Sequence, residues 1–182
     1  LIWTSGRGFG LISELSPLQS ADRTVLLDMA EKAVDDMYNG CSKTMTEKVK
    51  KAYFEKENTG IFADVWNRLQ FVFIQHLMMF FKMFYKKFND HVRNNRSIYD
   101  TSFQFHSLHF WLTSAVQILN NNTKCVTTYR RTDLDFTGEL NQNMRFGSFA
   151  SSSYDLKLFN FVKKTCLKIT NSKGAFLKHY SA

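Results

Sequence analysis

The chain has 182 residues, 44% of them hydrophobic, with 18 phenylalanines, one proline, eight glycines and a formal charge of +8. That is long enough to bury a real interior, too aromatic for global disorder and too poor in proline and glycine for long linkers. The longest unbroken apolar run, Leu77 to Phe81, falls far short of the ~20 residues a membrane-spanning helix needs.

From Leu1 to Pro17 the chain is mixed and glycine-containing, which reads as irregular. Gly6-Arg7-Gly8-Phe9-Gly10 has the look of a phosphate loop but lacks the preceding strand and following helix that would give it mechanism. The stretch "SADRTVLLDMAEKAVDDMYNGC" carries an apolar cluster and an acidic turn, closed by Asn39-Gly40. Met45, Val49, Ala52 and Tyr53 follow helical spacing, as do Phe62, Val65, Trp66, Leu69 and Phe73. Leu77, Phe81, Phe84, Phe88 and Val92 continue that register. Phe105, Leu108, Leu112, Val116 and Leu119 predict a further amphipathic helix, ending at Asn120-Asn121-Asn122.

Beyond that triplet the pattern changes. "CVTTYRR", "RFGSFASSS" and "TCLKIT" are short and rich in Thr, Val, Ile and aromatics, which predicts strands. Asn171-Ser172-Lys173-Gly174 reads as a turn into a last strand, "AFLKHY". Helices first and strands afterwards make an α+β fold, not an alternating one. A single domain over 1–182 is expected, mainly helical over 1–119 and β-rich over 120–182.

Basic side chains are dispersed, with short clusters at Lys48/Lys50/Lys51, Lys86/Lys87 and Lys163/Lys164. A solvated basic surface is therefore favoured over a nucleic-acid face. His106 and His109 are three apart on the predicted helix, a spacing that can chelate a metal. No nearby Cys, Asp or Glu completes a set, so packed or hydrogen-bonded histidines are expected. Three cysteines, Cys41, Cys125 and Cys166, are an odd number. The sequons Asn95-Arg96-Ser97 and Asn121-Asn122-Thr123 lean toward secretion. The chain begins at Leu1 with no signal-like segment, so a removed signal or a fragment is expected.

Arg130 ends the strand-like run "CVTTYR", where a guanidinium can clamp a phosphate or ribose with bidentate donors, or simply face solvent. On a strand, Ser151 and Ser153 face one way and Ser152 the other. Two same-facing hydroxyls suit a sugar or a carboxylate, and Phe149 on their side offers a ring to a planar heterocycle. The plain alternative is a polar strand face in water.

Together these segments resemble the vertebrate-type extracellular arginine ADP-ribosyltransferases, a family sharing its fold with several bacterial toxins. "LLDMAEKAVDDMYNGC" resembles the family's opening segment, and "FYKKFNDHVR" and "FQFHSLHFWLTSAV" resemble its two characteristic helices. "CVTTYRRT" resembles the strand bearing the signature arginine, and "RFGSFASSSY" the aromatic-x-Ser-Thr-Ser strand. The resemblance implies an ADP-ribosyltransferase-like fold with NAD, or NADP in its place, as substrate, no metal, and 120–182 as the NAD-binding part. It implies transfer of ADP-ribose to arginine side chains of acceptor proteins, with release of nicotinamide, outside the cell or at its surface. Arg130 would contact the dinucleotide and brace its strand. Ser151 would orient the catalytic glutamate and the nicotinamide-side ribose, Ser153 would close the Ser-x-Ser motif, and Phe149 is its leading aromatic. Cys125 and Cys166 fall where the family pairs two cysteines, and Cys41 would pair with a cysteine further on.

Departures accompany the match. Arg131 stands where a glycine is common, Tyr154 where a leucine is common, and Phe80-Phe81-Lys82 where a Tyr-Thr pair is frequent. The family's Glu-x-Glu follows the segment resembling "GAFLKHYSA", and no such pair precedes Ala182. A C-terminally incomplete chain is therefore expected, inactive and aggregation-prone in isolation. A non-catalytic extracellular binding module of the same fold is the alternative.

Overall fold

The computed structural model describes residues 2–4, 24–57, 74–120, 124–132, 134–156, 165–172 and 174–176. They fall into two compact units, a helical one spanning 32–114 and a β unit built from 1–31 and 115–181. Phe62, Val65, Trp66, Leu69, Phe73 and the Gly6–Gly10 stretch lie outside the described residues.

In the helical unit, the turn Tyr38–Cys41 precedes the first helix. Tyr38 (φ +55°) and Gly40 (φ +78°) are both left-handed. That conformation is costly for a tyrosine. Two contacts hold it: the Asp36 carboxylate accepts from the Tyr38 N–H at 2.7 Å, and the Cys41 N–H donates to the Tyr38 carbonyl at 3.2 Å. The chain then winds as α1 (Ser42–Lys48), a π-helical stretch (Val49–Tyr53) and α2 (Phe54–Glu57). Val49 is fully buried against Tyr38 and Phe110, with Met45, Tyr53 and Trp111 packed around them. Ala52, placed on the same stripe by spacing, is exposed. The wider π turn moves it off the buried face.

Helix α3 (Ile74–Asn94) buries Phe84, Phe88 and Val92, three of the positions that spacing assigns to its core face. Phe105 meets Phe84 and Phe88 edge-on, at 6.0 and 5.6 Å between ring centroids. Helix α4 (His106–Leu119) ends where the asparagine triplet begins. Its buried face differs from the expected one. His106, His109, Phe110, Thr113 and Val116 are buried, whereas Leu108, Leu112 and Leu119 are half-exposed. Polar partners for the histidines, absent from any hydropathy pattern, rotate the helix by part of a turn.

In the β unit, β2 (Thr24–Leu26) runs parallel to β4 (Asp135–Thr137), and β3 (Val126–Thr132) pairs antiparallel with β6 (Thr165–Asn171). Alternation is clean on β6, where Thr165, Leu167, Ile169 and Asn171 are buried while Lys168 and Thr170 are exposed. A third sheet has the order β5-β1-β7, from β5 (Ala150–Ser152), β1 (Ile2–Thr4) and β7 (Gly174–Phe176). The stretch read as irregular thus contributes a central strand. Strands β6 and β7 pair with β3 and β1, so the turn expected after Asn171, whose Lys173 lies outside the described residues, closes no hairpin between them.

The suspected Cys125–Cys166 bridge is not formed, and all three cysteines are free thiols. Register gives the reason. Cys166 lies opposite Arg131, whereas Cys125 precedes Val126, which lies opposite Asn171. At ~3.3 Å per residue the two are more than ~15 Å apart, well beyond the ~7 Å Cα separation a disulfide spans.

Candidate functional site

The strand that carries the serines has neighbours on both edges. On one side Trp3 of β1 lies opposite Ser151. On the other an antiparallel bridge joins Tyr129 of β3 to Ser153. Its two hydrogen bonds are good, Tyr129 N–H to Ser153 carbonyl at 2.7 Å and Ser153 N–H to Tyr129 carbonyl at 2.8 Å. This bridge sets the guanidinium of the next residue against the serine run. Arg130 Nη1 donates to the Ser151 carbonyl at 2.8 Å and to Ser151 Oγ at 3.1 Å.

Arg130 and Ser151 are thus brought together, 21 residues apart in sequence and both half-buried. Because Ser151 Oγ accepts from a cation, its own O–H remains to donate. The pair offers a positive charge and an oriented hydroxyl donor, a combination suited to a phosphate beside a sugar.

The other two predicted residues are placed differently. Phe149 is 3% exposed and Ser153 5%, both in the interior. Ser153 Oγ accepts from the Asp155 N–H at 3.0 Å, tightening the turn after β5. Ser152 is also buried, so the strand is no polar face in water.

Arg145, given no role by sequence, clamps the segment after β2. Its Nε donates to the Met29 carbonyl at 2.8 Å and Nη2 to the Ala30 carbonyl at 3.0 Å. Ala30 is left-handed at φ +47°, and its N–H donates to the Asp28 carboxylate at 2.8 Å. An arginine in the irregular segment before β5 carries no sequence signal for such a contact.

The helical unit holds a second polar cluster. Both histidines of the i, i+3 pair are buried and hydrogen-bonded. His106 Nδ1 meets Glu57 Oε1 at 2.8 Å, and Nε2 meets the Tyr99 carbonyl. His109 Nε2 faces the Val34 carbonyl at 3.1 Å and so donates, leaving Nδ1 to accept from Tyr38 Oη at 2.6 Å. Tyr38 Oη lies 3.0 Å from Tyr99 Oη. With its hydrogen committed to His109, it accepts from Tyr99. Burial pushes the His109 imidazole down to about 4, against the raising effect of the Val34 carbonyl. It pushes the Tyr99 phenol up to about 12 and the Tyr38 phenol higher still. The packed reading of these histidines holds. Among the described residues no group of His, Cys, Asp and Glu is arranged to hold a metal.

Glu57 also caps α4, its Oε1 accepting from the His106 N–H at 2.8 Å and its Oε2 from the Ser107 N–H at 2.9 Å. Ser107 Oγ, buried beside that cap, has no partner among the described residues. Ser107→Ala is therefore expected to be neutral or stabilising by up to ~1 kcal/mol, measured by chemical denaturation.

Comparison with known proteins converges on one family. The profile of the NAD:arginine ADP-ribosyltransferases matches residues 69–182. Ecto-ADP-ribosyltransferase 4 of Pan troglodytes is 27% identical over 217 aligned positions, covering 99% of this chain and 69% of that protein. T-cell ecto-ADP-ribosyltransferase 1 of Mus musculus is 29% identical, covering 86% of this chain and 62% of that protein. Among solved structures, a mutant of the eukaryotic mono-ADP-ribosyltransferase ART2.2 in complex with NADH superposes with a TM-score of 0.65 at 26% identity. That match covers 86% of this chain and 80% of the other. The strands that join Arg130 to Ser151 therefore belong to an ADP-ribosyltransferase fold, and the chain is a member of the NAD:arginine ADP-ribosyltransferase family.

Proposed function

We propose that the protein carrying this chain transfers ADP-ribose from NAD, or NADP in its place, to arginine side chains of acceptor proteins outside the cell or at its surface. The bond between the ribose anomeric carbon and the nicotinamide nitrogen breaks, and its electron pair leaves with nicotinamide. Positive charge moves onto the ribose as an oxocarbenium-like state. A guanidine nitrogen of the acceptor attacks the anomeric carbon and then loses its proton. The bond changes balance with no redox step.

Arg130 is assigned to the diphosphate, where a fixed guanidinium supplies charge-assisted donors and orients the reacting ribose. Ser151 is assigned to the nicotinamide-side ribose and to the catalytic carboxylate that the family resemblance implies. Ser153 and Phe149, both interior, are assigned to holding the strand that presents Ser151. They would meet NAD only if its binding opened their packing. The Arg130–Ser151 hydrogen bond, made across two strands in a chain of this family, carries the reading.

Arg130→Lys keeps the charge but loses the planar fork. It is expected to lower NAD consumption and arginine labelling by about 10- to 100-fold, the loss of one or two directed donors. The thermal unfolding of the variant should stay close to wild type. Full activity in Arg130→Lys would remove Arg130 from the site. Active-site assays in which the wild-type protein neither cleaves NAD nor labels an arginine-rich acceptor would remove the reaction itself.

A further inference from the structure

Asn39-Gly40, just ahead of α1, is the one Asn-Gly pair in the sequence. Asn39, Gly40 and Cys41 are all exposed. Neither the Asn39 side-chain amide nor the Gly40 N–H makes a hydrogen bond to a described residue. A Cβ at Gly40 would stand in open space, with nothing within 4 Å. A hydrogen bond from the Cys41 N–H to the Tyr38 carbonyl, at 3.2 Å, crosses the pair.

These features leave both partners of an intramolecular reaction free. The backbone nitrogen that follows an asparagine can attack the side-chain amide carbon, unless a Cβ, a hydrogen bond or packing obstructs it. Glycine has no Cβ and gives the chain the freedom to make the approach. The asparagines at the end of α3 are held in the way Asn39 is not. Asn94 Nδ2 donates to the Asp90 carbonyl and carboxylate, at 3.1 and 3.0 Å, and Asn95 Nδ2 to His91 Nδ1 at 2.9 Å.

We propose that Asn39 is a site of spontaneous deamidation, and that its product loosens the turn holding Tyr38. The Gly40 nitrogen bonds to Asn39 Cγ and gives up its proton. The Cγ–Nδ2 bond breaks, ammonia leaves, and a five-membered imide remains. Water, the co-reactant, then opens the ring at either carbonyl. One opening yields aspartate. The other yields isoaspartate, whose main chain runs through Cβ and Cγ and is one carbon longer. The reaction needs neither NAD nor the Arg130–Ser151 pair.

The consequence falls one residue back. Tyr38 is left-handed at φ +55° and 3% exposed, and its hydroxyl stands 2.6 Å from His109 Nδ1. The added carbon lies inside the turn closed by the Cys41–Tyr38 hydrogen bond, one of the two contacts that hold this conformation. The new carboxylate also joins Asp35 and Asp36 in the same short stretch, where like charges repel.

Incubation of the full chain at neutral pH and physiological temperature tests the assignment. Peptide mapping by mass spectrometry reads the change from amide to acid, and isoaspartyl methyltransferase labelling separates isoaspartate from aspartate. Asn39 should convert at least about tenfold faster than Asn94 or Asn95, which precede residues with a Cβ. Its native rate should lie within about tenfold of its rate in urea, because an exposed turn opens at little cost. Gly40→Ala should slow conversion at least about tenfold, read in urea as well so that the test does not depend on folding. Asn39→Gln, which would have to form a six-membered imide, should stay unconverted. The isoaspartyl form, isolated by ion exchange, should melt at least ~2 °C below the unconverted protein. Asn39→Asp, with the charge but not the added carbon, should lose less. The proposal is overturned if Asn39 converts in urea but stays an amide in the native protein, or if Gly40→Ala converts as fast as wild type. Equal melting of the isoaspartyl and unconverted forms would overturn the effect on Tyr38.

Discussion

Glu57→Ala is expected to destabilise the helical unit by about 3–5 kcal/mol, the cost of leaving three buried hydrogen-bond partners unmet at once. The carboxylate is 8% exposed and His106 4%. It accepts from the first two N–H groups of α4 and from the imidazole of His106, the three donors that its removal would leave buried and unpaired. An unmet buried donor costs ~1–3 kcal/mol, and the positive end of the helix dipole adds to the need for a carboxylate there. Tyr53, stacked on His106, loses its partner's fixed orientation as well. Glu57→Gln keeps the volume and one acceptor oxygen but turns an amide N–H toward a donor, so an intermediate loss is expected. Urea denaturation of both variants reads the effect. If Glu57→Ala costs under ~1 kcal/mol and Glu57→Gln costs nothing, the carboxylate is not holding α4.

The second large effect is a loss of stability in acid, traced to His109. Its imidazole is 2% exposed and is held neutral, at about 4, by burial. In the unfolded chain it takes up a proton near pH 6.5. Between those values the unfolded state binds more protons than the native one, so stability rises with pH across the window. Equivalently, the contribution is intact above about pH 6.5 and is lost as pH falls through about 4. At ~1.4 kcal/mol per pH unit, the shift corresponds to roughly 3 kcal/mol. The groups acting on the ring electrostatically are Asp35, Asp36 and His106, and the carboxylates moderate the effect of burial without cancelling it. Structure and sign agree. A proton on Nδ1 would destroy the acceptor that Tyr38 Oη uses at 2.6 Å and push the Tyr38–Tyr99 pair to reorient.

Denaturation of wild type and His109→Gln at pH 7 and pH 4.5 isolates the histidine, because the carboxylate titrations are common to both. The wild type should lose more stability on acidification than the variant does. Should His109→Gln fail to fold, an NMR titration of the His109 ring in the wild-type protein reads the same quantity. Parallel pH dependence in the two proteins, or a His109 titration near 6.5, would contradict the assignment.

Much of this architecture was legible from side-chain pattern. The helices around Val49, Phe88 and Phe110 follow a spacing of 3.6, and the strands at 126–132 and 165–171, with the α+β division they imply, follow from short runs of Thr, Val, Ile and aromatics. Period reports which face is apolar, and long segments contain enough turns for it to register. Strand β1 at Ile2–Thr4 has three residues, too few to show a period, and its existence depends on what lies beside it, whereas β5 at Ala150–Ser152 lies inside a stretch whose composition already reads as strand. The rotation of α4 has a similar origin, because His106 and His109 are buried by the Glu57, Tyr99, Tyr38 and Val34 groups that satisfy them.

The candidate site divides along the same line. From residues alone came the family, an arginine-bearing strand and a serine-bearing strand, because signature residues at ordered spacings are a local property of the chain. Tertiary structure alone decided that Arg130 bonds Ser151, that Phe149 and Ser153 are interior, and that Cys125 and Cys166 stand at opposite ends of a strand pair. Each of these depends on register and on burial by residues distant in sequence. A one-residue slip of β3 against β6 changes every cross-strand partner while leaving the hydropathy of each strand untouched.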